Sequence, residues 1–451
     1  MSTSPALRRS HSDADVTHLL AGVGAVLVCA ATVLVVLPFV VERPRLLPVL
    51  ALGGALAVFL LARPAWVLPV LIGVTYSSIG NSFFGGLPSP IEVGAAAFFV
   101  VALWRAVDRP AHARDVFLLL TLLALPLVAS ALLHPDTLPG LYDLVKRLAF
   151  LPIVALCLLT RADVERAVLA LVVTGLILGV GAVWSILVGP SQLFPTVGLE
   201  GLEAPRAAGP FGEPTFFALS LAVLSPLALS LVVRGGAGRW LGYATTLALT
   251  AGVIAAGSRG GLLAILVAVA AFVFVGDWRR LRGAAVAVVV GVVVLIPVFG
   301  GQASNSADRG IGGRVTENLI SIAMFADHPV TGVGPGGYPE LYRDYARYIG
   351  NDPRVERYAH SLPLEIAAEQ GIVGLVAWLV AMGVVARIVF SSGVWRTPVG
   401  KGLVLSIGIF GFESLFQHGS QLRIFYMLIG MALALAWALA RERDALPEQA
   451  S

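Results

Sequence analysis

The sequence predicts an all-α, polytopic membrane protein. Of its 451 residues, 57% are hydrophobic and only 13% are charged, and the mean hydropathy is +0.87. Soluble globular proteins carry roughly 45–50% apolar and about 25% charged residues, so a water-surrounded core does not account for this excess. The apolar residues also form stretches of about 20, the length that crosses a bilayer as a helix. These observations exclude an ordinary cytosolic enzyme, a disordered chain and a disulfide scaffold.

About fourteen apolar stretches predict membrane helices. They lie at about 19–41, 46–62, 65–77, 91–106, 115–133, 141–160, 167–188, 214–233, 240–257, 261–276, 283–299, 371–390, 402–417 and 422–440. The first follows a polar, arginine-bearing tail and is too long for a cleavable signal, so we expect it to be retained. The predicted order is a tail (1–18), helices one to eleven (19–299), a long loop (300–360), the last helices (361–440) and a second tail (441–451).

The positions of the basic residues predict the orientation, because lysine and arginine accumulate on the cytoplasmic side of a membrane. With the N-terminus inside, 18 of the 31 basic residues lie on the inner side and seven at outer helix mouths. The remaining six lie in the long loop, which the rule does not count strictly. We therefore expect both termini in the cytoplasm, and the long loop outside it.

Charge and cysteine content narrow the possible partners. Of the 31 basic residues, 29 are arginine, and a net charge of +4 is too small to indicate a nucleic-acid partner, so none is expected. Cys29 and Cys157 lie inside apolar runs, where cysteine usually packs as a small apolar residue. With no cluster of cysteine and histidine, a thiolate zinc site is not expected either.

Two long polar segments fall on the predicted outer side, at Gly189–Pro214 and Gly300–His360. Loops of this length are usually functional or disordered, and the second is not of low complexity. Within it, Arg314–Pro329 predicts an amphipathic helix on the membrane surface, whose apolar face holds Val315, Leu319, Ile322 and Ala323. Four tyrosines between Tyr338 and Tyr348 suggest a second interfacial helix.

The segment GVGPGG (Gly332–Gly337) matches the G-x-G-x-x-G pattern of dinucleotide-binding proteins. That pattern is informative only between a strand and a helix of a βαβ unit. Here Ala326-Asp327-His328-Pro329 precede it, in an extracytoplasmic loop. We interpret it as a tight turn that ends the surface helix.

His360 is the candidate general base. It ends the long loop, directly before the chain re-enters the membrane, and a neutral imidazole accepts a proton near pH 7. The alternative is that it is only a polar residue at the membrane boundary. Glu365 and Glu369 follow on one helical face, where they either orient arginines or face an aqueous cleft.

Five basic residues form the candidate anion site: Arg206, Arg259, Arg314, Lys146 and Arg147. Ionisable groups within or beside membrane helices are costly and usually functional. A guanidinium group donates two parallel hydrogen bonds, which suits a diphosphate. The alternatives are snorkelling to lipid headgroups for the arginines and a structural role for the Lys146–Arg147 pair. These features fit an enzyme acting on a lipid diphosphate, an exporter of lipid-linked sugars or an anion transporter.

Four segments in the expected order resemble the motifs of the O-antigen ligase/polymerase family. They are RAAGPFGEPTFFA (Arg206–Ala218), GSRGG (Gly257–Gly261), HPVTGVGPGGYPELY (His328–Tyr342) and HSLPLEIAAEQGIVGL (His360–Leu375). Together they span about 170 residues, with the long loop where the family has it. The chain departs from the family at Ser361 and Thr215, where asparagine is usual, so the choice of acceptor is the property most open to change.

The resemblance implies a glycosyltransferase of the C-type (GT-C-like) membrane fold that needs neither metal nor cofactor. Its donor is a glycan on a polyprenyl diphosphate, and its acceptor is a hydroxyl group of a glycan, a glycolipid such as lipid A–core, or a protein. The reaction takes place on the outer face of the bacterial cytoplasmic membrane and inverts the sugar anomer. His360, supported by Ser361, Glu365 and Glu369, is then the expected base, and the five basic residues bind the diphosphate. A polysaccharide polymerase and a flippase of lipid-linked sugars remain the alternatives.

Overall fold

The computed structural model describes residues 58–78, 90–198, 205–275, 307–348, 359–417 and 422–445, with the single positions 56, 286 and 289. The predicted helices at 19–41 and 283–299, most of the one at 46–62, and the N-terminal tail lie outside these residues. The described part is built almost entirely from α-helices, which confirms the predicted fold class.

The described helices are named in chain order: α1 (Val67–Ser77), α2 (Pro90–Asp108), α3 (Pro110–Leu133), α4 (Leu138–Leu148), α5 (Phe150–Cys157), α6 (Arg161–Leu187), α7 (Pro214–Arg234), α8 (Gly238–Ala255), α9 (Arg259–Val275), α10 (Ala307–Asp327), α11 (Gly337–Tyr348), α12 (Leu362–Ser392), α13 (Pro398–Glu413) and α14 (Leu422–Ala445). Two short strands, β1 (Thr196–Val197) and β2 (Arg206–Ala207), form an antiparallel pair. Among the described residues, α3, α6, α7, α12 and most of α14 are long and apolar enough to cross a membrane.

Helix α7 lies at the centre of the bundle and is buried along its whole apolar length, with α6, α8, α9 and α13 packed around it. Small residues allow this close packing, as in other membrane helix pairs. A Cβ on Gly242 of α8 would lie 2.7 Å from the carbonyl oxygen of Ala228, and one on Gly402 of α13 would lie 2.9 Å from Cβ of Ser230. Helix α12 is peripheral, with only 22% of its apolar window buried.

The prediction of a single helix at 141–160 is wrong, because the chain forms two helices, α4 and α5, with a break at Ala149. Pro152 explains the break, since it has no N–H to donate to the carbonyl group of Leu148. Several other bounds shift outward: the helix predicted at 167–188 begins at Arg161, where Thr160 and Asp163 form a reciprocal capping box.

Helix α12 bends at Gly371, whose φ of 64° breaks the regular helix. The bend leaves backbone groups near it free to bond the loop segment 328–334. Val333 N donates to the oxygen of Ala368 (2.9 Å), Gly334 N to that of Glu369 (3.0 Å), and Ile372 N to that of Pro329 (2.9 Å). The glycine-rich segment therefore follows α10 as predicted, and it packs closely against α12. A Cβ on Gly332 would lie 2.2 Å from the carbonyl carbon of Glu369.

The loop helices α10 and α11 share a small hydrophobic core of their own, formed by Ile320, Met324, Val333, Tyr338, Tyr342, Ala346, Ala359 and Ala368. Helix α10 begins at Ala307, before the predicted start at Arg314. Its predicted apolar stripe, Val315, Leu319 and Ile322, is about half exposed and faces away from this core. Helix α11 is present as predicted, but Tyr338 and Tyr342 are buried instead of lying at an interface, and of the four tyrosines only Tyr348 is largely exposed.

Candidate active site

His360 lies beside a buried carboxylate that the sequence analysis did not single out. Its Nε2 atom is 3.1 Å from Oε2 of Glu317, and the two side chains are 29% and 1% exposed. Glu317 belongs to α10, whereas His360 lies two residues before α12. The pair therefore joins the long loop to the membrane bundle.

The backbone around Glu317 is fixed by two hydroxyl groups. Tyr338 donates to the carbonyl oxygen of Glu317 at 2.9 Å, and Ser321 donates to the same oxygen at 3.0 Å. Burial raises the pKa of the Tyr338 hydroxyl well above its usual value, so this phenol stays a neutral donor. The sequence does carry one signal for Glu317, which is its helical spacing from Ile320, Ser321 and Met324. In the structure these four residues form the buried face of α10, opposite the predicted apolar stripe.

Arg206 is the first residue of β2 and is held against the turn between α8 and α9. Its Nε donates to the carbonyl oxygen of Ala256 at 2.9 Å, and its Nη2 donates to that of Gly257 at 3.4 Å. Gly257 ends α8 in the left-handed region, with φ of 64°, and a Cβ there would lie 3.1 Å from Nε of Arg206. The two bonds orient the guanidinium group against this turn.

The GSRGG segment places Arg259 at the start of α9. Ser258 precedes the helix, and its Oγ accepts a hydrogen bond from Gly261 N at 3.2 Å, as an N-cap residue does. Arg259 is the first helical residue and is exposed. The sequence motif thus ends one helix, begins the next and places Arg259 within three residues of the turn that binds Arg206.

The end of α13 connects this region to His360. The buried carboxyl group of Glu413 lies against the first turn of α9, since a Cβ on Gly260 would lie 3.2 Å from its Oε2. The neighbouring residue, Ser414, accepts a hydrogen bond from Leu362 N at 2.8 Å, at the start of α12. Arg206, Arg259 and His360 therefore lie at the same end of the bundle, around the end of α13.

The predicted Lys146–Arg147 pair divides between two environments. Lys146 Nζ is 2.9 Å from Oε1 of Glu92, and both side chains are nearly half exposed. Arg147 lies near Glu369 and Arg423 and interacts with them electrostatically. The ion pair with Glu92 favours a structural role for Lys146. Arg147 stays a predicted ligand of the diphosphate.

The remaining predicted residues have varied surroundings. Glu369 is buried, and its Oε1 accepts a hydrogen bond from Tyr338 N at 3.3 Å, at the start of α11, where a negative charge is favourable. Glu365 and Ser361 lie in and directly before the first turn of α12, next to His360. Arg314 belongs to α10, and its side chain lies outside the described residues.

The fold and the site together define a polytopic helical membrane protein that gathers arginines and an imidazole–carboxylate pair at one end of its bundle. Residues 244–379 match the family model described as O-antigen ligase, which supports the predicted resemblance to the O-antigen ligase/polymerase family. The matched segment includes GSRGG, Glu317 and His360. No curated protein matches the chain. The family supports an activity of the O-antigen ligase or polymerase type in a membrane.

Proposed function

We propose that this protein transfers a glycan from a polyprenyl diphosphate to a hydroxyl group of a glycan or glycolipid acceptor, on the outer face of the cytoplasmic membrane. The observation that carries the proposal is the meeting of two kinds of group around the end of α13. Arg206 lies at the turn before α9, and Arg259 directly precedes Gly260, which lies against Glu413. His360 precedes Leu362, whose N donates to the carbonyl oxygen of Ser414. An anion site beside a base is what transfer from a lipid diphosphate requires.

The arginines act on the leaving group. When the bond between the sugar and the diphosphate breaks, its electron pair moves to the diphosphate oxygen. A preorganised positive charge stabilises that developing charge, and it costs no reorganisation during the reaction. Arg206 fits this role because two backbone carbonyl groups already orient it. Arg259 and Arg314 are the further proposed ligands.

His360 acts on the acceptor. The imidazole takes the hydroxyl proton while the acceptor oxygen forms a bond to the anomeric carbon, on the side opposite the diphosphate. One carbon–oxygen bond forms as another breaks, the proton moves to His360, and polyprenyl diphosphate leaves. Direct displacement of this kind inverts the anomeric centre. The diphosphate is already a good leaving group, so no acid is needed to protonate it.

The test is glycan transfer by purified protein in detergent. The donor is polyprenyl-diphosphate glycan extracted from a strain that lacks the gene, and the acceptor is the purified cell-surface glycolipid of that strain. Because detergent removes sidedness, a product shows catalysis and not export. His360→Ala is expected to lower the rate by about 100- to 10,000-fold, the usual contribution of a general base.

A matched control is His112→Ala. His112 stacks on Trp437 at the opposite end of the bundle, with ring centroids 4.5 Å apart, and its loss is expected to leave the transfer rate unchanged. A wild-type rate in His360→Ala would remove the general-base role. No product with wild-type protein and any surface acceptor, including lipid-linked repeat units, would overturn the proposal in favour of export.

The deletion strain separates ligase from polymerase. If this protein joins finished chains to a glycolipid, its loss leaves long chains on the carrier lipid. If it extends chains, its loss leaves single repeat units there. We expect long chains.

A further inference from the structure

We propose that Glu317 is a positioning residue for His360, which holds the imidazole in place and stabilises the positive charge that it acquires with the acceptor proton. The inference rests on the proposed function. It adds Glu317 of α10 to a proposed site that already includes Arg206 of β2, Arg259 at the start of α9 and His360 before α12.

The contact geometry is the first support. The 3.1 Å distance between Nε2 of His360 and Oε2 of Glu317 is that of a direct ion pair once the imidazole is protonated. With Glu317 only 1% exposed, water screens the attraction weakly. A carboxylate in this position favours the protonated imidazole and so draws the proton from the acceptor.

The second support is that groups other than His360 fix the position of Glu317. Tyr338 and Ser321 both donate to its backbone carbonyl oxygen, which fixes this turn of α10. Ile320 and Met324, on the same face of the helix, are buried in the loop core. The side chain therefore reaches His360 from a rigid support, as a positioning group must.

The third support is the joining of loop to bundle. Val333 and Gly334 donate backbone hydrogen bonds to the oxygens of Ala368 and Glu369, on the helix that His360 precedes. Ser130 of α3 adds bonds to the oxygens of Thr331 (2.7 Å) and Glu369 (2.9 Å). These bonds lie within about three turns of His360 along α12, so they set the distance between α10 and the imidazole.

Stability alone gives a weak reason for this pair. A buried ion pair is often no more stabilising than apolar residues of the same volume, because both charges must lose their water. A leucine at position 317 would complete the face formed by Ile320 and Met324. A carboxylate beside the proposed base has a function that leucine does not supply.

The experiment compares Glu317→Gln, Glu317→Asp and His360→Ala in the detergent assay, with the same extracted donor and surface glycolipid. Glutamine keeps the shape and removes the charge, and it is expected to lower kcat about 10- to 100-fold, the range for a hydrogen bond or contact to a charged group. KM for the donor should change less than threefold, because Glu317 is not proposed to bind the diphosphate. Aspartate keeps the charge and should recover at least part of kcat.

The control is Glu340→Gln, the same substitution on an exposed residue of α11 in the same loop, which should leave kcat unchanged. The double variant Glu317→Gln with His360→Ala should be no slower than His360→Ala alone, since Glu317 is proposed to act through the imidazole.

Three outcomes overturn the inference. Full kcat in Glu317→Gln, together with the loss of activity in His360→Ala, would remove the role of Glu317 and leave the proposed function intact. A fall in kcat that comes with a lower melting temperature and no recovery in Glu317→Asp would make Glu317 structural. Wild-type rates in both single variants would remove the general-base mechanism and the inference with it.

Discussion

The two ends of the helical bundle hold their charged residues in different ways. At the end where α6 begins and α7 ends, arginines pair with carboxylates: Glu165 lies 3.1 Å from Arg161 and 2.8 Å from Arg234, and Arg166 lies 2.7 Å from Asp163. At the end that holds His360, Arg206 donates to backbone carbonyl groups, and His360 contacts a carboxylate that is almost fully buried.

The difference separates two uses of charge. Partly exposed ion pairs contribute about 0–1 kcal/mol each, and basic residues at one membrane face set the orientation of the chain. At the other end, two backbone carbonyl groups of the turn between α8 and α9 orient the Arg206 guanidinium group. A buried carboxylate beside a histidine is costly, and such cost is usual at sites of chemistry. The first and the last of the four predictions below compare the two ends, and the other two concern stability.

Of these four predictions, the largest effect is expected at Arg206. Arg206→Gln removes the charge and keeps a side chain of similar reach, so kcat should fall about 100- to 1,000-fold, the usual loss when one preorganised donor is removed. The measurement is initial rate against donor concentration in the detergent assay. A change confined to KM would instead show that Arg206 binds the donor equally well in the ground state and the transition state.

The next largest effect concerns the hydrogen-bonded contact between the loop segment 328–334 and α12. Gly371→Ala puts a Cβ 2.2 Å from the carbonyl oxygen of Val330, at a position with φ of 64°. Overpacking of this kind typically costs about 1–3 kcal/mol, so the melting temperature should fall and the loop should be cleaved sooner by protease. Gly383→Ala is the matched control on the same helix, because nothing lies within 4 Å of a Cβ there. Equal melting temperatures for the two variants would show that this contact rearranges without a loss of stability.

Much of the fold follows from the sequence, for a physical reason. The bilayer requires long apolar helices whose backbone groups bond internally, so the apolar stretches near 115–133, 167–188 and 214–233 predict α3, α6 and α7. The break at Ala149 was missed because hydropathy does not register the lost N–H of Pro152. The fourteen predicted helices include some that lie outside the described residues, so that number stays a prediction.

The candidate site follows from the sequence only in part. Motif order identified Arg206, Arg259 and His360, and the structure places them at one end of the bundle. Glu317 was missed because its partner is 43 positions away in the chain, and only the docking of α10 on α12 brings the two together. Lys146 was included because a basic residue inside an apolar stretch is unusual, and its partner Glu92 lies on another helix.

A smaller effect is expected at the start of α7. Glu213 is the N-cap residue, and its carboxyl oxygens accept hydrogen bonds from Thr215 N (3.0 Å) and Phe216 N (2.7 Å). Glu213→Ala removes both and should destabilise the protein by about 1 kcal/mol, measured as a lower melting temperature. Glu213→Asp should recover part of it. A fall in kcat larger than that stability change explains would mean that Glu213 also acts on the substrate.

The smallest effect is expected for Arg166→Gln, the counterpart of Arg206→Gln at the other end of the bundle. Arg166 pairs with Asp163 three residues earlier on α6, and the two side chains are 35% and 23% exposed. Such pairs contribute about 0.3–0.5 kcal/mol on a helix surface. Asp163 also keeps its bonds to the Thr160 hydroxyl and backbone N, so the cap of α6 remains. We expect a melting temperature close to that of the wild type and an unchanged kcat. If Arg166→Gln slowed transfer as much as Arg206→Gln does, the arginines at the two ends would not differ in use, and the contrast in their partners would have no bearing on catalysis.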